Sequence, residues 1–263
     1  MKFGFIGCGN MGGAIARGVM KAVCGDQVLL SNKTMAKAEK LAKELNCTVG
    51  SNEDAALCEY VFLGVKPYLM ADMLLKIQPV LAQSKPVLVT MAAGLTMERI
   101  REMAGGAYPV IRIMPNTPSA IGEGMIQYCT LDVTEDQESE FLAAMAHCGR
   151  LDKIPETMID AASAVSGSGP AFAYMFIEAL ADGGVACGLP RAKAMEYAAQ
   201  MLQGSAKLFL ESGKHPGDLK DAVCSPAGST IQGVRKLEQY AFRAAVTDAV
   251  IATYEKNLEM KKM

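Results

Sequence analysis

The sequence predicts an α/β chain in which a mostly parallel, doubly wound sheet is followed by an all-helical domain. Three observations predict it. Short apolar runs alternate with helical patterns up to Pro155. A glycine-rich turn, Gly7-Cys8-Gly9-Asn10-Met11-Gly12, joins the first run to the first helical pattern. From Glu156 to Met263 no convincing strand pattern remains. The expected domains are therefore residues 1–155 and 156–263.

The elements follow in order. Lys2–Ile6 is a short apolar run ending in glycine, hence a buried strand. Asn10–Val23 has helical spacing at Met11, Ile15, Val19 and Val23. Val28–Leu30 reads as the second strand. Thr34–Leu45 reads as a helix with Thr34 at its N-cap. Tyr60–Val65 is the third strand, stopped by Pro67, and Tyr68–Leu81 is helical. Val87–Thr90 is a strand, and Thr96–Met103 a helix capped by Thr96. Val110–Met114 and Gly124–Cys129 are strands, and Glu135–His147 is a helix with an exposed face. In the second domain Ala171–Ala186, Ala192–Leu210 and Tyr240–Met260 read as helices. Pro170 and Pro190 stand where first-turn prolines belong. These helices are rich in Ala, Gly and Met, as suits close helix contacts in a core or a subunit interface.

Composition removes several function classes. Of 263 residues, 51% are hydrophobic, ample for a core, and the net charge of -2 disfavours nucleic acid or an anionic membrane as the main partner. Eight cysteines lie scattered, none in a C-x-x-C, and only two histidines are present, so reduced thiols and no metal site are expected. Met1–Val23 mimics an export signal, but Gly7, Gly9, Gly12 and Gly13 interrupt it. No apolar run reaches about 18 residues, so no membrane span and a cytoplasmic location are expected.

The glycine turn fits G-x-G-x-x-G in the context that gives it meaning: it follows a strand and opens a helix. Gly7 permits the tight turn, Gly9 lets a pyrophosphate approach the backbone, and Gly12 allows close helix–strand packing. The phosphates then lie on free N–H groups at a helix N-terminus. This is a Rossmann-type dinucleotide site. An NAD site usually has a carboxylate at the end of the second strand, and here Ser31-Asn32-Lys33 stand there instead. Hydroxyl, amide and ammonium suit a 2′-phosphate, so NADP(H) is favoured and NAD(H) is the alternative.

Later segments bear on the substrate. Val65-Lys66-Pro67, Ala92-Ala93-Gly94 and Arg112-Ile113-Met114-Pro115-Asn116-Thr117-Pro118 follow successive strands at their carboxyl ends, where such sheets bind ligands. Ser166-Gly167-Ser168-Gly169-Pro170-Ala171-Phe172 stands at a helix start. Asp221-Ala222-Val223-Cys224-Ser225-Pro226-Ala227-Gly228-Ser229-Thr230 leads into another. From the glycine turn to Glu238 the chain resembles the pyrroline-5-carboxylate reductases, and the SGSGPAF and SPAGST segments are the most specific part of the likeness. The resemblance implies a Rossmann domain, a helical dimerisation domain, and reduction of 1-pyrroline-5-carboxylate to L-proline with NAD(P)H. It also implies a homodimer with interlocking helices, sites completed by both subunits, and assembly into a decamer of five dimers. One departure is Lys33, where many members have Arg.

Candidate cofactor contacts are Ile6, Gly7, Cys8, Gly9, Asn10, Met11, Ser31, Asn32, Lys33, Asn52, Val65, Lys66, Pro67, Ala92, Ala93 and Asn116. Candidate substrate contacts are Ser166, Ser225, Gly228, Ser229 and Thr230, with Ser225 and Thr230 as catalytic candidates. Imine reduction needs no nucleophile, metal or strong base, and orientation carries much of it. Ser225, Ser229 and Thr230 offer hydroxyls, and Gly228–Thr230 offer N–H groups to a substrate carboxylate. The resemblance places Thr230 beside the imine nitrogen. Neither histidine reads as catalytic, and His215 before Pro216-Gly217 reads as a turn residue. Two rivals fare worse. A β-hydroxyacid dehydrogenase needs a lysine early in the helix after Gly169, and none occurs before Lys193. A cofactor sensor has no use for a carboxylate-binding SPAGST loop.

Overall fold

The structure, a computed structural model, describes residues 1–260. Its contacts divide them into two compact units. The first is Met1–Ser168 with the end of the chain from Thr253, and the second is Gly169–Ala252.

The first unit is built on eight strands. In chain order its elements are β1 (Phe3–Ile6), α1 (Asn10–Val19), β2 (Val28–Ser31), α2 (Met35–Leu45), β3 (Thr48–Val49), α3 (Asn52–Ala56), β4 (Tyr60–Leu63), α4 (Pro67–Ser84), β5 (Val87–Thr90), α5 (Met97–Ala104), β6 (Val110–Met114), β7 (Gly124–Leu131), α6 (Glu135–Met145), β8 (Gly149–Lys153) and α7 (Ile159–Ala162). The strand order is β3-β2-β1-β4-β5-β6-β7-β8. Every pairing is parallel except β6–β7. Phe3 pairs with Val28 on one side and Tyr60 on the other, so β1 and β4 are the strands between which the winding reverses. A ligand cleft belongs at their carboxyl ends.

Both faces of the sheet are covered, which explains the unbroken apolar runs of the central strands. Phe3, Phe5, Tyr60, Phe62, Val87 and Val89 pack on one face with Ile15, Val19, Leu41 and Phe141. Phe5 and Phe62 stack at 4.4 Å. On the other face Ile6, Val61, Leu63 and Leu88 pack with Met70, Leu74, Ile77 and Ile100. The rings and branched chains of one face alternate with those of the other along each strand.

Several elements differ from the sequence reading. The first helix ends at Val19 rather than Val23, because the Met20–Val23 N–H groups turn back on carbonyls of Ala16, Gly18 and Val19. β3 has two residues and α3 five, too short for a periodic signal. β8, Gly-Arg-Leu-Asp-Lys, is a charged edge strand, and its charges hide the alternation while protecting the edge. Thr34 occupies the N-cap of α2, but its side chain makes no cap bond, whereas Thr96 does cap α5 by accepting from the Arg99 N–H. The boundary expected at Pro155 differs from the division at Ser168. α7 is followed by a π-helical turn, Ser163–Gly167, and both group with the sheet.

The second unit holds α8 (Gly169–Ala186), α9 (Arg191–Ser212), α10 (Pro216–Val223), α11 (Ser229–Gln239) and the start of α12 (Phe242–Met260). Pro170 lies in the first turn of α8 as expected, but Pro190 is the N-cap of α9, one place earlier. His215 is the N-cap of α10 and accepts the Gly217 N–H at 3.0 Å, the turn role expected of it. Among the described residues of this unit the buried hydrophobics are Ala181, Ala194 and Ala198. Larger side chains such as Tyr174, Met175, Met201 and Leu210 are exposed. Phe172, Phe176, Leu237, Phe242, Val246 and Ala249 line an apolar groove of about 440 Å³. α8 is apolar apart from Glu178 and Asp182, and so apolar a helix calls for burial of its remaining surface. No described helix is long and apolar enough to cross a membrane.

Candidate active site

The glycine turn lies in the first unit. Gly7 ends β1 at φ +99°, and a Cβ there would lie 2.7 Å from the Gly64 carbonyl carbon, so only glycine fits. Its N–H donates to Ser31 O at 2.9 Å. A Cβ on Gly12 would lie 2.1 Å from Gly7 O, so this glycine seats α1 against the turn. Gly9 differs: nothing in the chain lies within 4 Å of where its Cβ would be. That open face adjoins the start of α1, which has no side-chain cap and no acidic residue in its first turn. Free N–H groups, a positive helix end and open space fit a pyrophosphate.

The rest of the turn is held by its own side chains. The Cys8 N–H donates to Asn32 Oδ1 at 3.1 Å, and its thiol to Ser31 O at 3.4 Å. Burial pushes that thiol up to about 12, so Cys8 packs as a neutral group. Ile6 is buried beneath the turn, Asn10 is exposed, and Met11 is half-buried.

The 2′-phosphate loop departs from expectation. Ser31 is buried, and its hydroxyl donates to Asn52 Oδ1 at 2.7 Å. Asn32 has both ends engaged, by Cys8 and by Thr34 O at 3.1 Å. Ser31, Asn32 and Asn52 thus shape the loop, and Lys33 alone of the three read as phosphate ligands is exposed with its ammonium unengaged among the described residues.

Val65, Lys66 and Pro67 follow β4, with Lys66 at the N-cap and Pro67 at the first position of α4. Ala92 and Ala93 follow β5, Ala92 buried and Ala93 half-buried. A cavity of about 740 Å³ opens beside these strand ends, lined by Pro67, Tyr68, Ala93, Gly94, Thr96 and Met103 among others. Asn116 is 7% exposed, and both ends of its amide are taken up by the protein: Nδ2 donates to Ser166 O at 3.0 Å, and Oδ1 accepts the Met125 N–H at 3.1 Å. The Ser166 hydroxyl is 3.0 Å from both Gln127 Oε1 and Ala162 O. Both residues therefore tie the π turn to the sheet.

The sequence reading also missed a buried ion cluster. Arg112 is fully buried and reaches Glu156 at 3.0 Å and Asp160 at 3.4 Å. Glu156 accepts the Met97 N–H at 2.8 Å as well. Arginine within an apolar strand was the available signal, since a buried charge requires a partner.

The SPAGST loop lies in the second unit. After α10, Ser225-Pro226-Ala227-Gly228 forms a turn in which the Gly228 N–H donates to Ser225 O at 3.0 Å and Ala227 takes φ +58°. A Cβ on Gly228 would lie 2.4 Å from Ser225 Oγ. Gly228 is the N-cap of α11, so no side chain blocks the helix end. Ser229 and Thr230 are its first two residues, and no acidic residue stands in its first turn. The hydroxyls of Ser225, Ser229 and Thr230 are exposed and make no hydrogen bond with other described residues. Three hydroxyls and the first-turn N–H groups of a helix can together bind a carboxylate and have donors left over.

Comparison with known proteins follows the same division. A family model described as pyrroline-5-carboxylate reductase dimerisation matches residues 156–260. One described as NADP oxidoreductase, coenzyme F420-dependent, matches residues 2–94. The pyrroline-5-carboxylate reductase of Escherichia coli (strain K12) is 40% identical over 266 residues, 99% of this chain and 98% of the relative. That of Pisum sativum is 38% identical, over 98% of this chain and 95% of the relative. A Plasmodium falciparum pyrroline carboxylate reductase with NADP bound superposes with a TM-score of 0.87 at 33% identity, over 99% of this chain and 98% of that one. The 1-pyrroline-5-carboxylate reductase of Streptococcus pyogenes gives 0.89 at 32%, over 100% and 99%.

Proposed function

The chain belongs to the pyrroline-5-carboxylate reductase family, and from that premise we infer that it reduces 1-pyrroline-5-carboxylate to L-proline with NADP(H). When bound, the dinucleotide supplies a hydride. The open face at Gly9 and the uncapped start of α1 would hold its pyrophosphate, with Lys33 toward the 2′-phosphate. Val65–Pro67 and Ala92–Ala93 would flank the nicotinamide end. Ser31, Asn32 and Asn52 act by shaping the loop, and Asn116 and Ser166 by fixing the π turn.

The substrate is a ring imine bearing a carboxylate. The Gly228–Thr230 N–H groups and the Ser225 and Ser229 hydroxyls hold the carboxylate. The Thr230 hydroxyl donates to the imine nitrogen. With the dinucleotide bound, the imine carbon would gain its hydride and the nitrogen would end with a proton, giving the saturated ring. Orientation carries much of the rate, because an imine polarised by a hydrogen bond at its nitrogen is already electrophilic. The observation that supports this placement most is the loop itself: three hydroxyls at an uncapped helix start, none engaged elsewhere in the described chain.

Residues 1–155 act as the dinucleotide domain and 156–263 as the dimerisation and substrate domain; the last three of these lie outside the described residues. The exposed apolar surface of α8 and the 440 Å³ groove support an oligomer, which we take to be a homodimer that assembles further as five dimers. The location is cytoplasmic. The test is loss of NADPH on adding pyrroline-5-carboxylate, with a β-hydroxyacid and NADP as control. Turnover of the imine alone is expected. Turnover of the hydroxyacid alone would overturn the reading.

A further inference from the structure

The loop read as the 2′-phosphate site is poorer in free ligands than its sequence suggests, and the helix after it is richer. Ser31 and Asn32 are engaged within the protein, which leaves Lys33. α2 then opens with no side-chain cap and no acidic residue in its first turn. By contrast α3 and α6 are closed by capping boxes and α5 by Thr96, each with acidic residues in the first turn. The third residue of α2 is Lys37, exposed, and its ammonium pairs with no other described residue. Lys40, by contrast, lies near Glu44.

A cation at a helix N-terminus meets the positive end of the macrodipole. Lys33, just before the N-cap Thr34, brings a second exposed cation to that helix end and adds like-charge repulsion. Both costs vanish when an anion sits between them and the free N–H groups. The neighbouring Asn32–Cys8 bond ties this helix start to the glycine turn, where the dinucleotide lies.

Resting on the NADP(H) reading of the site, we propose that Lys37, together with Lys33, selects a 2′-phosphate over a 2′-hydroxyl. Lys37 is a specificity-determining residue that no part of the glycine-turn pattern would have named.

The test needs no turnover. Adenosine 2′,5′-bisphosphate and adenosine 5′-monophosphate differ only by the 2′-phosphate, and each is titrated calorimetrically into the whole protein. The wild type should prefer the bisphosphate. In Lys37→Gln the ratio of the two affinities should fall about tenfold, or ~1.4 kcal/mol, and Lys37→Arg should keep most of it. Without ligand, Lys37→Gln should melt no earlier than wild type, because it removes a cation from the positive end of a helix. A wild-type ratio in Lys37→Gln would overturn the assignment and leave the cofactor reading standing. Earlier melting of that variant would make Lys37 a structural residue and overturn the assignment too. A wild type with no preference would overturn the cofactor reading and the assignment together.

Discussion

Thr230→Ala separates chemistry from folding at the SPAGST loop. Thr230 is the second residue of α11, behind the N-cap Gly228, so its side chain is not the cap. Its hydroxyl is exposed and makes no bond with other described residues, so deleting it breaks nothing within the chain. Alanine is also the better helix former, by up to about 0.7 kcal/mol. Stability should therefore hold or rise slightly. Activity should move the other way. A hydrogen bond to a charged group contributes on the order of 1.5–3 kcal/mol. Losing one preorganised donor can cost about 10²–10³ in kcat. The loss here falls at or below the lower end, because the imine is electrophilic already and water can partly replace the hydroxyl. The expected drop in kcat/KM for pyrroline-5-carboxylate is roughly 10- to 100-fold, and Thr230→Ser should keep most activity. Steady-state kinetics and a thermal melt on one preparation decide it. A variant that melts early yet turns over normally would refute the reasoning.

Three further outcomes are expected. Gly12→Ala places a Cβ 2.1 Å from Gly7 O, an overpacking of about 1–3 kcal/mol. Because it deforms the turn itself, NADPH should bind at least about tenfold more weakly by fluorescence titration, and an unchanged Kd would contradict the glycine's assigned role. Burial pushes the thiols of Cys8 and Cys148 up to about 12, and those of Cys58 and Cys129 up to about 11, from an ordinary 9.0. The folded state keeps these protons longer than the unfolded state, so their contribution is intact below pH 9 and is lost as pH rises from there toward 12. Each thiol loses at most about 1.4 kcal/mol per pH unit, and only between pH 9 and its own folded value. The melting temperature should fall steeply between pH 9 and 11, and a flat profile would show that the thiols are not buried as described. Light scattering at micromolar concentration should find at least a dimer, given the exposed apolar side chains of α8 and α9; a fully active monomer would rule that out.

The sequence was most informative where the signal is local. β6 runs Val110–Met114 and β5 Val87–Thr90, as their apolar runs indicate, and Gly7 and Gly12 take the turn and packing places their spacing implies, with open space at Gly9. It was least informative at the sheet edges, where β3 is too short and β8 too charged for a period to show. Local caps such as Thr96 and His215 were legible, but side-chain engagement between distant segments was not. That Ser31 is bound by Asn52, or that Asn116 reaches Ser166 fifty residues on, follows from tertiary packing and leaves no trace in spacing. The SPAGST loop is the reverse case: its candidate ligands stand within six consecutive residues, so their grouping is local and readable. Lys37 passes as an ordinary surface lysine until the engagement of its neighbours is known.

On the proposed reading a hydride would pass from the nicotinamide to the imine carbon of a substrate held by its carboxylate. The most direct measurement is reduction of pyrroline-5-carboxylate with NADPH deuterated on the transferred position at C4, followed by magnetic resonance of the product. The account predicts L-proline with a single deuterium on Cδ, the ring carbon beside nitrogen and away from the carboxylate. Proline without that deuterium, or no proline from folded protein supplied with both reactants, would contradict it.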